Sequence, residues 1–167
     1  MVKEVRKIRV VGDVAYVPLT QGYEATIDIG LVEDIGKHNW YAVVTGGLVY
    51  AVRKGPRPEA KTILMHRQIL QPPLGYEVDH INQNGLDNRL CNLRCATSQQ
   101  NKHNQRAKRN NKSGYKGVFL ENRSGKWVAR IMVNGKNMHL GYFTDPLEAH
   151  FAYCKASKDL HGEFGRA

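Results

Sequence analysis

Acids are scarce in this sequence: 15 Asp and Glu stand against 25 Lys and Arg, giving 167 residues a formal net charge of +10. That surplus calls for an anionic partner, whether a nucleic acid, an anionic membrane or an acidic protein. Long apolar runs are missing too. None approaches the roughly 20 residues of a membrane span, which excludes a helical bilayer protein. Met1 to Val11 is basic but has no apolar stretch of signal-peptide length, so the expectation is a soluble protein of the cytoplasm. Cysteine is rare: Cys91, Cys95 and Cys154 are too few and too scattered for a disulfide framework. Cys91 and Cys95 lie near His103, which raises a zinc site, but the second paired knuckle of such sites is absent. Small buried residues flanking a strand are the expected role of both. The length allows one domain, yet the composition favours several small modules over one large core.

What is present concentrates between Val78 and Asn101. Asp79 and His80 sit side by side at the end of a short apolar run. A turn-rich segment follows (Asn82, Asn84, Gly85, Asp87, Asn88), then a second apolar run holding Asn92. Thr97-Ser98-Gln99-Gln100 opens a helix, with Thr as N-cap and Gln at the third position. This is strand, loop, strand, helix. Asp79 and the amide oxygen of Asn101 are hard ligands suited to one divalent ion, Mg²⁺ or Mn²⁺. His80 can take a proton from water near neutral pH. Asn92 can accept from an imidazole N–H and so fix the ring's orientation. Together they suit hydrolysis of a phosphodiester.

Met65 to Asn104, with Met-His-Arg-Gln-Ile-Leu, Val-Asp-His-Ile-Asn-Gln-Asn-Gly-Leu-Asp-Asn-Arg, Asn-Leu-Arg and Asn-Lys-His-Asn, resembles the HNH endonucleases of the phage and homing type. The resemblance implies a ββα-metal motif with His80 as base, Asn92 as its orienting partner, and Asp79 and Asn101 as metal ligands. Asn101 stands where many members carry a histidine. His66 and Arg67 would flank the motif. Arg67 is expected to contact DNA, whereas His66 either supports the site or is a packed structural histidine.

Ahead of that motif, residues 1–61 read as a small β-rich module. Short β-branched or aromatic runs cover Ile8–Val11, Ala15–Leu19, Glu24–Ile29, Trp40–Val44 and Leu48–Val52, and Gly46-Gly47 marks a hairpin. Glu33 to Asn39 suggests a short helical turn. Arg53 to Lys61 reads as a loop, and Thr62 to Leu70 as a helix ended by Gln71-Pro72-Pro73. Residues 62–104 form the nuclease motif and 105–112 a basic linker. From Lys102 to Lys112 the chain carries bases and no acid, too polar to bury itself. Lys102, Arg106, Lys108 and Arg109 would lie along a phosphate backbone without reading sequence.

Residues 113–167 form a further module. Strand-like runs Tyr115–Leu120, Lys126–Val133 and Asn137–Phe143 are joined by Ser124-Gly125 and Asn134-Gly135, and a helix opens at Asp145-Pro146. Alternation puts Trp127, Ala129, Ile131 and Val133 on one face and Val128, Arg130 and Met132 on the other. With Gly-Tyr-Lys-Gly-Val, Gly-Lys-Trp-Val-Ala-Arg-Ile and His-Leu-Gly-Tyr-Phe, the module resembles the AP2 DNA-binding domain. That resemblance implies a sheet facing the major groove, with Lys116, Arg123, Arg130 and His139 toward DNA and Lys136 on a phosphate. Phe119 and Glu121 stand where that family often has basic residues, so base specificity does not carry over.

The expected fold class is α+β: a β-rich N-terminal module, a ββα-metal core and a C-terminal three-stranded antiparallel sheet on one helix. The expected function is a metal-dependent DNA endonuclease, a nicking or homing enzyme acting on double-stranded DNA as a monomer or weak dimer. No small-molecule cofactor beyond the metal is expected. A non-catalytic DNA-binding regulator with the same scaffold is the alternative, and an RNA-binding protein is a weaker rival.

Overall fold

The structure is a computed structural model that describes residues 4–107 and 110–166. It is α+β, and its contacts divide it into two compact units, Met1–Ser98 and Gln99–Ala167.

In the first unit, β1 (Arg9–Val11), β2 (Val14–Pro18) and β3 (Glu24–Asp28) form one antiparallel sheet. A short helix α1 (Val32–Ile35) leads to a second sheet of β4 (Tyr41–Thr45), β5 (Leu48–Lys54) and β6 (Thr62–Leu64). Gly46 and Gly47 make the β4–β5 turn with φ of 58° and 81°, the two left-handed positions that a tight hairpin needs. Ile27, Ile35, Trp40 and Met65 fill one core, and the Trp40 indole N–H donates to the Ile35 carbonyl at 2.9 Å. The expected helix over Thr62–Leu70 is shorter than the sequence suggested. Thr62–Leu64 instead pairs with β5, and α2 covers Met65–Leu70, ending at Gln71 in the left-handed region. The β-branched Thr62 and Ile63 fit a half-buried edge strand better than a helix start.

A two-stranded ladder completes this unit: β7 (Glu77–His80) pairs with β8 (Leu93–Ala96), joined by the loop of residues 81–92. That loop is bound to the N-terminal sheet. The Thr26 N–H donates to the Leu86 carbonyl and the Asn88 N–H to the Thr26 carbonyl, both at 2.8 Å, while Leu86 packs on the main core. The Leu90 N–H donates to Asp28 at 2.7 Å. The β-rich module is thus the bed on which the loop lies. Cys91 and Cys95 are exposed rather than buried. Cys91 sits in the turn ahead of β8, and Cys95 is the exposed residue of β8.

Helix α3 (Ser98–Asn104) begins two residues after β8. In the second unit β9 (Val118–Glu121), β10 (Lys126–Val133) and β11 (Lys136–Phe143) form an antiparallel sheet with β10 central, backed by α4 (Pro146–His161). Asp145 caps α4 by accepting from the Leu147 N–H at 2.8 Å. Val118, Ala129 and Ala149 form the buried core, edged by Trp127, Leu140 and Phe143. Among the described residues, no helix is long and apolar enough to cross a membrane.

Candidate active site

His80 ends β7, where the strand enters the loop and its side chain stays 6 % exposed. Beside its Nε2, 3.4 Å away, is the amide oxygen of Asn88. The ring of His66, from α2, meets it edge-on with centroids 5.0 Å apart and planes at 88°. Tyr50 of β5 closes the group, 5.7 Å from His66 and 6.0 Å from His80. Burial pushes the His80 imidazole below its ordinary value, opposed by the Asn88 hydrogen bond and by Asp79 and Asp87. Burial also lowers His66 to about 3, helped by His80 and Arg67. Both rings are therefore neutral at pH 7. His66 Nδ1 is buried with no hydrogen-bond partner among the described residues.

Asp79 alternates to the opposite side of the strand from His80. Its ladder partner is Arg94, whose Nη2 and Nε lie 2.7 and 2.8 Å from Asp79 Oδ2. The carboxylate is 4 % exposed, and this ion pair gives it a buried charged partner.

Asn92 is used on the loop. Its amide oxygen accepts from the Asn82 N–H at 2.9 Å, and its Nδ2 donates to the Asp87 carbonyl at 2.7 Å. The acceptor set beside His80 is thus Asn88, whereas Asn92 was expected there from the sequence. Asp87 is the loop's hub. Oδ1 accepts from Arg89 Nε at 2.7 Å and Thr26 at 3.1 Å; Oδ2 accepts from Arg89 Nη2 at 2.8 Å and Asn82 at 2.9 Å. These bonds, the Arg89 pair foremost, hold its carboxyl below the usual range. Gly85 lets the loop touch β5: a Cβ there would stand 2.5 Å from the Val49 carbonyl oxygen and 2.7 Å from the Tyr50 ring.

The remaining expected residues fall in different places. Asn101 and Lys102 are in α3, in the second unit. Arg67 is exposed on α2, donating to the Tyr76 carbonyl at 3.3 Å. Arg106 follows α3 and is exposed, while Lys108 and Arg109 lie outside the described residues. Arg130 and His139 are ladder partners on the open face of the C-terminal sheet. The Arg130 guanidinium lies 4.8 Å over the Phe119 ring, and His139 lies 4.7 Å from the ring of Tyr142. Arg123 is exposed in the β9–β10 turn, and Lys136 opens β11. Lys116 precedes β9 and folds inward, its ammonium donating to the His103 carbonyl.

Arg94, Asn88, Tyr50 and the hub role of Asp87 were not read from the sequence. Only Arg94 left a signal there: in a hairpin whose loop is known, it falls directly opposite Asp79.

Among the described residues no cluster of three or more His, Cys, Asp or Glu side chains could cage a metal ion. A hard cation does not need one, since it keeps several waters and takes one or two protein oxygens plus phosphate oxygens. Asp79, in the first unit, and Asn101, in the second, each carry the hard oxygen donor that such an ion takes in preference to a thiophilic metal.

The family model for HNH endonucleases matches residues 72–103, which span β7, the loop and β8 and enter α3. Protein 3.8 of Escherichia phage T7 is 34% identical over 94 residues, 56% of this chain and 77% of that protein. No solved structure matches the chain. The chain belongs to the family of phage T7 Protein 3.8 and carries an HNH endonuclease domain.

Proposed function

We propose that the protein is a metal-dependent DNA endonuclease in which His80 activates water and the C-terminal sheet binds duplex DNA. The observation that carries this reading is His80 itself, a buried neutral imidazole at the end of β7 inside the matched domain. A base must be unprotonated to accept from water, and burial favours that form of the ring. The Asn88 amide oxygen faces Nε2 at 3.4 Å and, accepting from an Nε2–H, fixes the orientation of the ring. Asn92 acts one step removed, by holding the loop that carries Asn88. Asp79 and Asn101 would hold one Mg²⁺ or Mn²⁺, which supplies electrostatic stabilisation of phosphoryl oxygens when bound. Arg94 orients the Asp79 carboxylate.

Duplex binding falls to the open face of the C-terminal sheet. Arg130, held flat by Phe119, can present a bidentate guanidinium to a base edge, with His139 adjacent and Arg123 and Lys136 on flanking phosphates. Arg67, Lys102, Arg106, Lys108 and Arg109 add contacts that do not discriminate sequence. Such a reader tethered to a nuclease raises the local concentration of the target, as in an AP2-type site-specific or homing enzyme.

Supercoiled plasmid containing the target, incubated with Mg²⁺ or Mn²⁺, tests the reading. Nicking should occur, stop with EDTA and disappear in His80→Ala. Retained DNA binding without cleavage in either metal would identify a regulator instead.

A further inference from the structure

The second unit contains a cleft of about 960 Å³ beside β9. Lys102, Arg106, Lys112 and Lys116 line it, and no Asp or Glu does so among the described residues. Its apolar lining includes Phe119, Trp127 and Tyr153. His103 and His161 stack at its margin, centroids 3.5 Å apart and planes at 13°. His161 Nε2 is 2.9 Å from the Met132 carbonyl oxygen, and its Nδ1 is buried with no partner among the described residues.

Lys116 is the telling residue. It is half-buried, it has no carboxylate at ion-pair distance among the described residues, and its ammonium rests on the neutral carbonyl of His103. Burial, with Arg166 nearby, lowers it to about 8. A cation withdrawn from water without a counter-charge is costly, and an entering anion offsets that cost. Cationic walls around exposed aromatic rings are the combination that holds a nucleotide, phosphate on the cations and base on a ring. The volume is that of a small-ligand site, enough to enclose a nucleotide or two and not a double helix.

We infer that this cleft binds one or two nucleotides of a single DNA strand, with a phosphate at Lys116 and a base against Phe119 or Trp127. This site borders the open sheet face at Phe119, but its cations Lys112 and Lys116 take no part in the duplex contacts proposed above, and it does not depend on catalysis.

The full chain, kept in EDTA so that cleavage plays no part, is titrated with an oligothymidylate of about ten residues and, separately, with a duplex. Tryptophan emission is the readout. The sequence has two tryptophans, and Trp40 is 1 % exposed in the first unit, so quenching reports Trp127. The single strand should quench, and Lys116→Gln should weaken its binding about tenfold while changing duplex affinity less than about twofold. Lys116→Arg should restore most of the single-strand affinity. If Lys116→Gln melts early, Lys112→Gln at the exposed margin of the cleft replaces it, with the same selectivity expected. Absence of quenching, or equal losses for single strand and duplex, would overturn the proposal. Plasmid nicking would be unaffected by that failure.

Discussion

The two hairpins that carry the proposed base and the proposed duplex reader, β7–β8 and β10–β11, are built in opposite ways. In β7 the buried residues are Val78, Asp79 and His80 in succession, two of them titratable, and the connecting loop buries Asp87, Asn88 and Asn92 as well. In β10 the buried residues Val128, Ala129 and Ile131 are apolar, while Arg130 and Met132 stand in solvent. A general base needs a fixed position and a controlled protonation state, which burial among satisfied partners provides. A groove reader needs access, which a sheet with one apolar and one open face provides. The first hairpin therefore depends on a polar network for its stability, and the second on a helix laid across its back.

The largest test of that contrast is Asp87→Ala. It removes the hub that joins Thr26, Asn82 and Arg89, and should cost about 2–4 kcal/mol in chemical denaturation, moderated because Arg89 is 37% exposed. The sign against pH follows from the lowered carboxyl. Its contribution is complete above the ordinary value of 3.8 and is lost as pH falls through the lower folded value, so the variant should lose this part of its acid sensitivity. Gly85→Ala comes next. Its Cβ meets a backbone oxygen and the Tyr50 ring, so either the loop or β5 must shift, at about 1–3 kcal/mol. Differential scanning calorimetry should show a lower melting temperature with nicking impaired through the displaced loop.

His66→Gln is the smallest effect at neutral pH. The folded ring takes a proton only near 3, the unfolded ring near 6.5, so wild type loses stability as pH drops below 6.5 and none above it. The variant should remove up to about 1.4 kcal/mol per pH unit of that slope, read from denaturation midpoints between pH 6 and 4. Equal slopes would mean that His66 is protonated in the native protein as readily as outside it.

Local patterning made the strands legible. β2, β3, β4 and β5 match the β-branched runs, and Asn134-Gly135 forms its turn with φ of 48° and 76°. Asp145-Pro146 opens α4 as its capping chemistry requires. Asp79 and His80 were legible because they are adjacent and end a short apolar run. What a single sequence does not display is pairing at long range. Thr26 and Asp87 are 61 residues apart, and Asn82, Asn88 and Asn92 look alike until the loop closes and gives each amide a different partner. The exchange of Asn88 for Asn92 beside His80 is a product of that closure. Lys116 likewise looked like a surface base, and its inward turn onto His103 is visible only once α3 and the sheet are in place within their unit.

The most direct test of the central claim sets His80→Ala beside Arg130→Ala on one target duplex. Affinity is measured in EDTA, and single-turnover nicking at saturating enzyme with Mg²⁺. His80→Ala should lower the nicking rate by at least about a hundredfold with affinity within about twofold. Arg130→Ala should lose about 1–3 kcal/mol of affinity and keep its rate once saturated. Nicking that survives in His80→Ala, or loss of both properties in each variant, would contradict the division of labour between the buried hairpin and the open sheet.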